Sequence, residues 1–281
     1  MDIINFLRST YELPEVKKFV EKAGGLKKEP NEKYKSWIGF NYQMNQLESI
    51  KLYFAFYKEL SQEFLSELFN EEQTNLFFRD YDKKNLQAIT STYEFGSGFA
   101  IGLKIDVDLN VTKAFGYNLL LDSNDESFLA SHGININHVL KQKGVYHHFS
   151  KGEIYEKKYY YLNDDEIISE KLKVVDINEK LTVPILEVGF GKGFYNNSSY
   201  LDEKYILLGN YEEVFSSFMN GKVAFNNLKE DFNRLNKYIG VEGFCPGIYQ
   251  NKKVQSFYIG YKENETLFYN TVEKIGDKLL F

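Results

Sequence analysis

The stretch "SIKLYFAFYKEL", Ser49–Leu60, carries a lysine and a tyrosine inside a greasy run. Successive residues of a strand point to opposite faces. Lys51, Tyr53 and Tyr57 then share one face, with small Ala55 between them, and Leu52, Phe54 and Phe56 share the other. The strand-like run "SWIGFNYQM" precedes it across a short polar turn, which predicts a hairpin. Leu60, Phe64, Leu65, Leu68 and Phe69 follow at helical spacing. Upstream, Pro14 opens a helix whose Val16, Phe19, Val20 and Ala23 share a face, and Gly24-Gly25 stop it. The predicted unit is helix, strand, strand, helix.

The same order returns along the chain. "TSTYEF", the turn "GSG" and "FAIGLKIDVDL" read as a second hairpin, followed by the strand-like "VTKAFGYNLLL" and a helix opening at Ser123 with Glu126 at the capping-box offset. "GVYHHFS" and "EIYEKKYYYL" read as a third hairpin, and Asn163 with Glu166 opens a helix after it. "TVPILEVGFGKG" and "EKYILLG" make a fourth, with Asn210 and Glu213 opening the next helix. A further helix carries Phe225, Leu228, Phe232, Leu235, Tyr238 and Ile239 before Gly240. "FCPGIYQ" and "VQSFYIGY" make the fifth hairpin. Lysines 51, 104, 158 and 204 fall on the expected second strands, with Gln255 near the matching place of the fifth hairpin. Self-similarity at a period near 50 residues means one supersecondary unit repeated. No linker or low-complexity tract interrupts it, so residues 1–281 read as one α+β domain.

Lys104, Asp106 and Asp108 oppose Leu103, Ile105 and Val107; Lys158 and Tyr160 oppose Tyr159 and Tyr161; Ser256, Tyr258 and Lys262 oppose Phe257, Ile259 and Tyr261. Lys204 shares its face with Ile206 and Leu208. Helices that must bury apolar stripes pack on the apolar face of such a sheet. The lysine–tyrosine face then looks away from them. Ten antiparallel strands either stay open, with that face in water, or close into a barrel around a chamber.

Composition removes several classes. The net charge of −6 offers no basic excess for nucleic acid. One cysteine, Cys245, excludes an internal disulfide framework and fits a reducing compartment. The N-terminus has no signal-peptide pattern, and no apolar run approaches a membrane span. The expectation is a soluble, cytoplasmic monomer with neither nucleic acid nor membrane as partner.

Four signals attract attention and carry little. "GFGKGF" at 189–194 lacks the spacing of a phosphate loop and reads as a strand-end turn. His147 and His148 are adjacent in a strand, so they diverge and do not chelate one ion; His132 and His138 lie on a helical segment. "NDD" at 163–165 fits a helix cap, and Cys245 reads as packed.

The repeat order and the Lys-x-Tyr pairs "KLY" (51–53) and "KYY" (158–160) resemble the aromatic prenyltransferases of the ABBA, or PT-barrel, family. "IGFNYQMNQLESIKLYF" is similar to that family's hairpin of an apolar first strand and a K-x-Y-F second strand. The sequence departs from the pattern in having no arginine on its expected strands, and "GLKIDVD" lacks the tyrosine of the pair. The resemblance implies a closed ten-stranded antiparallel barrel, built from α-β-β-α repeats, inside a ring of helices. It implies transfer of a prenyl group from a prenyl diphosphate to an aromatic small molecule in the lumen. Lys51, Lys104, Lys158 and Lys204 would hold the diphosphate, and Tyr53, Tyr160 and Tyr258 would shield the allylic cation. Glu94, with Asp106 behind it, would take the acceptor's proton, although either carboxylate would equally pair with Lys104. Some members of the family use magnesium; Asp106 with Asp108 is the one suggestive acid pair here, and no metal ligand is assigned. The rival readings are a non-catalytic barrel binding a small hydrophobic anion, and an interaction protein with a solvated lysine–tyrosine sheet face.

Overall fold

The computed structural model describes residues 2–25, 34–56, 60–80, 99–150, 152–162, 166, 185–195, 198–207, 226–240, 243–249, 254–260 and 271–280. Its strands are β1 (Tyr34–Gln43), β2 (Gln46–Phe56), β3 (Phe99–Asp106), β4 (Val111–Leu120), β5 (Val139–Ser150), β6 (Glu153–Leu162), β7 (Ile185–Tyr195), β8 (Ser198–Leu207), β9 (Gly243–Tyr249) and β10 (Val254–Gly260). Each pairs antiparallel with its chain neighbours. β1 pairs with β10 as well as β2, so the strand order returns on itself as a closed barrel. Closure leaves no open sheet with a wet lysine face, because the edges that such a sheet would expose pair with each other.

Helices cover the outside: α1 (Ile3–Glu12), α2 (Pro14–Gly25), α3 (Gln62–Leu68), α4 (Glu71–Asp80), α5 (Ser123–Ser131), α6 (Asn226–Ile239) and α7 (Thr271–Leu280). Helix α1 was not expected from the sequence. The Asp2 carboxylate caps it by accepting from the Ile4 and Asn5 amides, and Ile3, Phe6, Leu7, Thr10 and Tyr11 are buried. It ends at Leu13, because Pro14 forbids a helical predecessor and itself opens α2. The capping box of α5 uses Asp122 and Asp125, one residue before the Ser123–Glu126 pair that the sequence suggests. Asn70 and Gln73 form a reciprocal cap at the start of α4.

The core lies between helices and barrel. Phe19 of α2 meets Phe54 of β2 at 6.1 Å, and Phe69 meets Phe115 of β4 at 5.7 Å. Phe77 of α4 meets Phe99 of β3 at 5.3 Å, and Phe232 of α6 meets Phe257 of β10 at 5.9 Å. These rings come from alternate strand positions, which fixes which face of each strand points outward. Each such fully buried aromatic contributes about 1.5–3 kcal/mol relative to exposure.

The second hairpin differs from the expectation. β3 pairs on one side with β2 and on the other with β4, and the turn lies at residues 107–110. The Asp106 carboxylate closes that turn by accepting from the amides of Asp108 and Asn110 and from the Asn110 side chain. Lys104 therefore stands on the first strand of its hairpin, whereas Lys51 stands on a second strand, and the two are not equivalent positions of a repeat. "GFGKGF" lies inside β7 and is no strand-end turn. The suggested caps at Asn163 and Asn210, and the run "TSTYEF", lie outside the described residues.

Candidate functional site

With Leu52, Phe54, Ile101, Leu103, Phe115, Val145, Phe149 and Phe257 turned to the helices, the alternate residues line the inside of the barrel. Register sets them in rows. Tyr258, Gly39, Lys51, Lys104 and Thr112 occupy successive positions across β10, β1, β2, β3 and β4. A second row runs Trp37, Tyr53, Gly102, Ala114, His148 and Tyr155, from β1 to β6. A third runs Ala55, Ala100, Gly116, Tyr146 and Lys157, from β2 to β6.

Three inner tyrosines are paired with glycines. Tyr258 lies across Gly39, Tyr53 across Gly102 and Tyr146 across Gly116; a Cβ at Gly39 or Gly102 would fall 2.5 Å from the tyrosine ring carbons. Glycine is needed at these places because the ring of the paired strand occupies the space that a side chain would take. Each ring therefore lies over the glycine of the paired strand. Trp37 packs against Tyr53 at 5.4 Å, and Tyr146 meets Tyr159 edge-on at 5.5 Å.

The cations sit among these rings. Lys51 and Lys104 are directly opposed on β2 and β3, and Lys51 is only 9% exposed. Like charges directly opposite each other destabilise a sheet, and one relief is visible: Glu48 lies 3.8 Å from Lys104 Nζ. Lys157 is equally buried, with Nζ 5.5 Å from the centre of the Tyr155 ring. His148 packs on the same tyrosine at 5.4 Å. Burial holds the His148 imidazole well below its ordinary proton affinity, and the charges of Lys157, Lys51 and Lys104 push it further the same way. Strands β2, β3 and β6 therefore turn positive charge toward the inner face of the barrel, and His148 of β5 stands beside it.

The residues selected from sequence separate into three groups. Lys51, Lys104, Tyr53 and Tyr258 are on the inner face. Lys158 and Tyr160 are corrected to the outer face: they pair with Val145 and Lys143, whose side chains look at the helices. Lys158 lies 3.7 Å from Glu156, and Tyr160 donates to Asp125 of α5 at 2.8 Å while stacking on Phe128 at 5.6 Å. Asp106 is likewise corrected to a turn cap. Burial raises its proton affinity, but the hydrogen bonds from Asn110 and Asp108, with Lys104 nearby, outweigh this and keep it below the ordinary value. Glu94 and the side chain of Lys204 lie outside what is described; the Lys204 backbone pairs with Gly189 and Tyr249.

Sequence reading missed Lys157, His148, Tyr155, Tyr146 and Tyr159. The signal was present in "HHFS" and "EIYEKKYYYL", but one face of β6 holds Tyr155, Lys157 and Tyr159 and the other holds Lys158 and Tyr160, so both are rich in lysine and tyrosine. It also missed Glu153, opposite inner-face Ser150 at the β5–β6 turn, whose Oε2 is buried without a hydrogen-bond partner among the described residues. Among the described residues no three His, Cys, Asp or Glu side chains converge as a metal site. Both carboxylate oxygens of Asp106 are engaged in capping its turn. No helix among the described residues is long and apolar enough to cross a membrane.

No protein-family model matches the chain, and no curated protein matches it in sequence. Solved structures do. AnaPT from Neosartorya fischeri superposes with a TM-score of 0.50 at 10% identity, covering 80% of this chain and 78% of that one. NotF in complex with brevianamide F and DMSPP gives a TM-score of 0.45 at 10% identity over 80% and 79% of the two chains. A second structure of the NotF prenyltransferase gives 0.43 at 11% identity over 80% of each. The chain has the fold of AnaPT, and its resemblance to the ABBA prenyltransferases holds at the level of fold.

Proposed function

We propose that the barrel is an aromatic prenyltransferase: it takes a prenyl diphosphate and an aromatic small molecule into the lumen and joins the prenyl group to the ring. The observation that carries this is the inner-face set of Lys51, Lys104 and Lys157 interleaved with Tyr53, Tyr146, Tyr155, Tyr159 and Tyr258. A prenyl diphosphate brings about three negative charges, and several ammonium groups are needed to hold it and stabilise the leaving group. The opposed pair Lys51–Lys104 sets two ammonium groups side by side, an arrangement that such an anion favours. When the carbon–oxygen bond breaks, its electron pair leaves with the diphosphate and an allylic cation remains. Aromatic faces stabilise a cation by roughly 0.5–2 kcal/mol each, and tyrosines on the inner face also keep water from it. The acceptor ring then supplies the electron pair of the new bond and loses a proton. Glu94 remains a proposed acceptor of that proton, and Lys204 a proposed further anion ligand.

Incubating the protein with dimethylallyl and geranyl diphosphate and a panel of phenols and indoles, read by mass spectrometry, tests the proposal. A product heavier than its acceptor by one prenyl group supports it. Tight diphosphate binding with no product from any pair favours a barrel that only binds.

A further inference from the structure

We propose that His148 is a fourth cation of the anion site: it takes up a proton as a diphosphate-class anion settles among Lys51, Lys104 and Lys157. This rests on the reading of the chamber as a diphosphate site and adds to it a proton that binds with the anion.

The geometry begins at Tyr155. His148 is paired with it across β5 and β6, 5.4 Å between ring centres, and Lys157 stands 5.5 Å from the same ring. His148, Tyr155 and Lys157 therefore form one cluster. Lys51 and Lys104 stand on β2 and β3 in the row beside the one that holds His148, and their charges oppose a proton on the same imidazole. On β4 the paired residue is Ala114, which carries no charge. With Lys157, the titratable groups of β6 on this face are Tyr155, Tyr159 and, at the turn, Glu153, and Asp106 is occupied at its own turn. His147 points outward, with Nε2 3.0 Å from the Tyr117 hydroxyl.

An imidazole in this place meets three positive charges, so its charged form is disfavoured until an anion joins them. A polyanion reverses the sign of the local potential, and the same neighbours then no longer oppose protonation. The balance is a single proton moving from solvent to the imidazole; no bond of the anion changes. Linkage makes the effect reciprocal: if the anion raises the proton affinity of His148, a lower pH tightens anion binding by the same factor.

Inorganic pyrophosphate is the probe. Its affinity for the wild-type chain and for His148→Gln is measured by calorimetry from about pH 8 to about pH 5.5. The ligand's own titration is common to both proteins and cancels in their ratio. The expected result is that the wild type gains on the variant as the pH falls, by up to about tenfold per unit of pH once His148 becomes able to charge in the complex. Nuclear magnetic resonance on the wild-type chain gives a second reading. Of its four histidines, the one absent from His148→Gln spectra should titrate at least about one unit higher with pyrophosphate bound. A constant ratio across the pH range, with the His148 resonance unmoved by bound pyrophosphate, overturns the inference and leaves the anion site standing. Failure of the wild type to bind pyrophosphate at any pH overturns both.

Discussion

Lys157 and Lys158 are chain neighbours that serve opposite sides of the same wall. Lys157 pairs with Tyr146 and lies over Tyr155 inside the barrel, whereas Lys158 pairs with Val145 and reaches Glu156 outside it. A one-residue slip exchanges every side chain of a strand between faces. The chemistry proposed for the chamber therefore depends on which frame β6 adopts.

The glycine–tyrosine pairs give the first prediction. In Gly102→Ala the added carbon meets the Tyr53 ring at 2.5 Å and the Leu52 carbonyl oxygen at 2.8 Å. Overpacking of this kind costs about 1–3 kcal/mol. Urea unfolding should show that loss, and Gly102→Ala combined with Tyr53→Ala should lose less than the two single changes added together. Strict additivity would mean that ring and glycine do not share the space.

A second prediction concerns the anchoring of α5. Lys143 bonds Asp125 at 2.5 Å and Asp122 at 3.0 Å, and Tyr160 also donates to Asp125; the Lys143 and Asp125 side chains are almost fully buried. Removing Lys143 leaves a buried carboxylate without its cation, at a cost of about 3–5 kcal/mol. Lys143→Met should be destabilised by that order in chemical unfolding, and Lys143→Met with Asp125→Leu should recover much of it. A Lys143→Met chain as stable as the parent would remove the anchor.

Tyr42 ties β1 to α6 through a 2.6 Å hydrogen bond to Asp231. Burial raises the proton affinity of Asp231 although Tyr42 and Arg234 lower it. Tyr42→Phe removes a donor from a carboxylate that is 9% exposed. The expected loss is about 1–3 kcal/mol, read as a lower urea midpoint with unchanged slope.

The pH dependence of stability follows from His148. Its folded-state proton affinity lies well below the ordinary value of 6.5, through burial first and then Lys157, Lys51 and Lys104. Below that value the unfolded chain binds a proton that the folded chain refuses. This contribution is thus complete above 6.5 and declines as the pH falls through it, by up to about 1.4 kcal/mol per unit. Unfolding curves of the wild type and His148→Gln should converge or cross between about pH 7.5 and about pH 5.5. Parallel stability–pH profiles would show that His148 charges freely.

Alternation made Leu52, Phe54 and Phe56 legible as the helix side of β2, and glycine, lysine and tyrosine as the chamber side. That contrast exists because one face of β2 is wholly apolar. β6 has no such contrast, since Tyr160 and Lys158 outside look much like Tyr159 and Lys157 inside. Its frame follows from Lys143 and Tyr160 reaching Asp125 on α5, contacts between residues 18 and 35 positions apart that no local pattern encodes. The β3–β4 turn misled for a related reason. Its signal is the Asp106–Asn110 side-chain cap, and Leu109 at φ 65° supplies the left-handed step where a glycine would have been the visible sign.

The most direct measurement compares pyrophosphate affinity in Lys157→Ala and Lys158→Ala by calorimetry. If Lys157 faces the anion, its removal should weaken binding about tenfold or more, as loss of a charge-assisted contact requires, while Lys158→Ala should bind as the wild type does. The reverse pattern, or equal losses in both, would contradict the placement of the site inside the barrel.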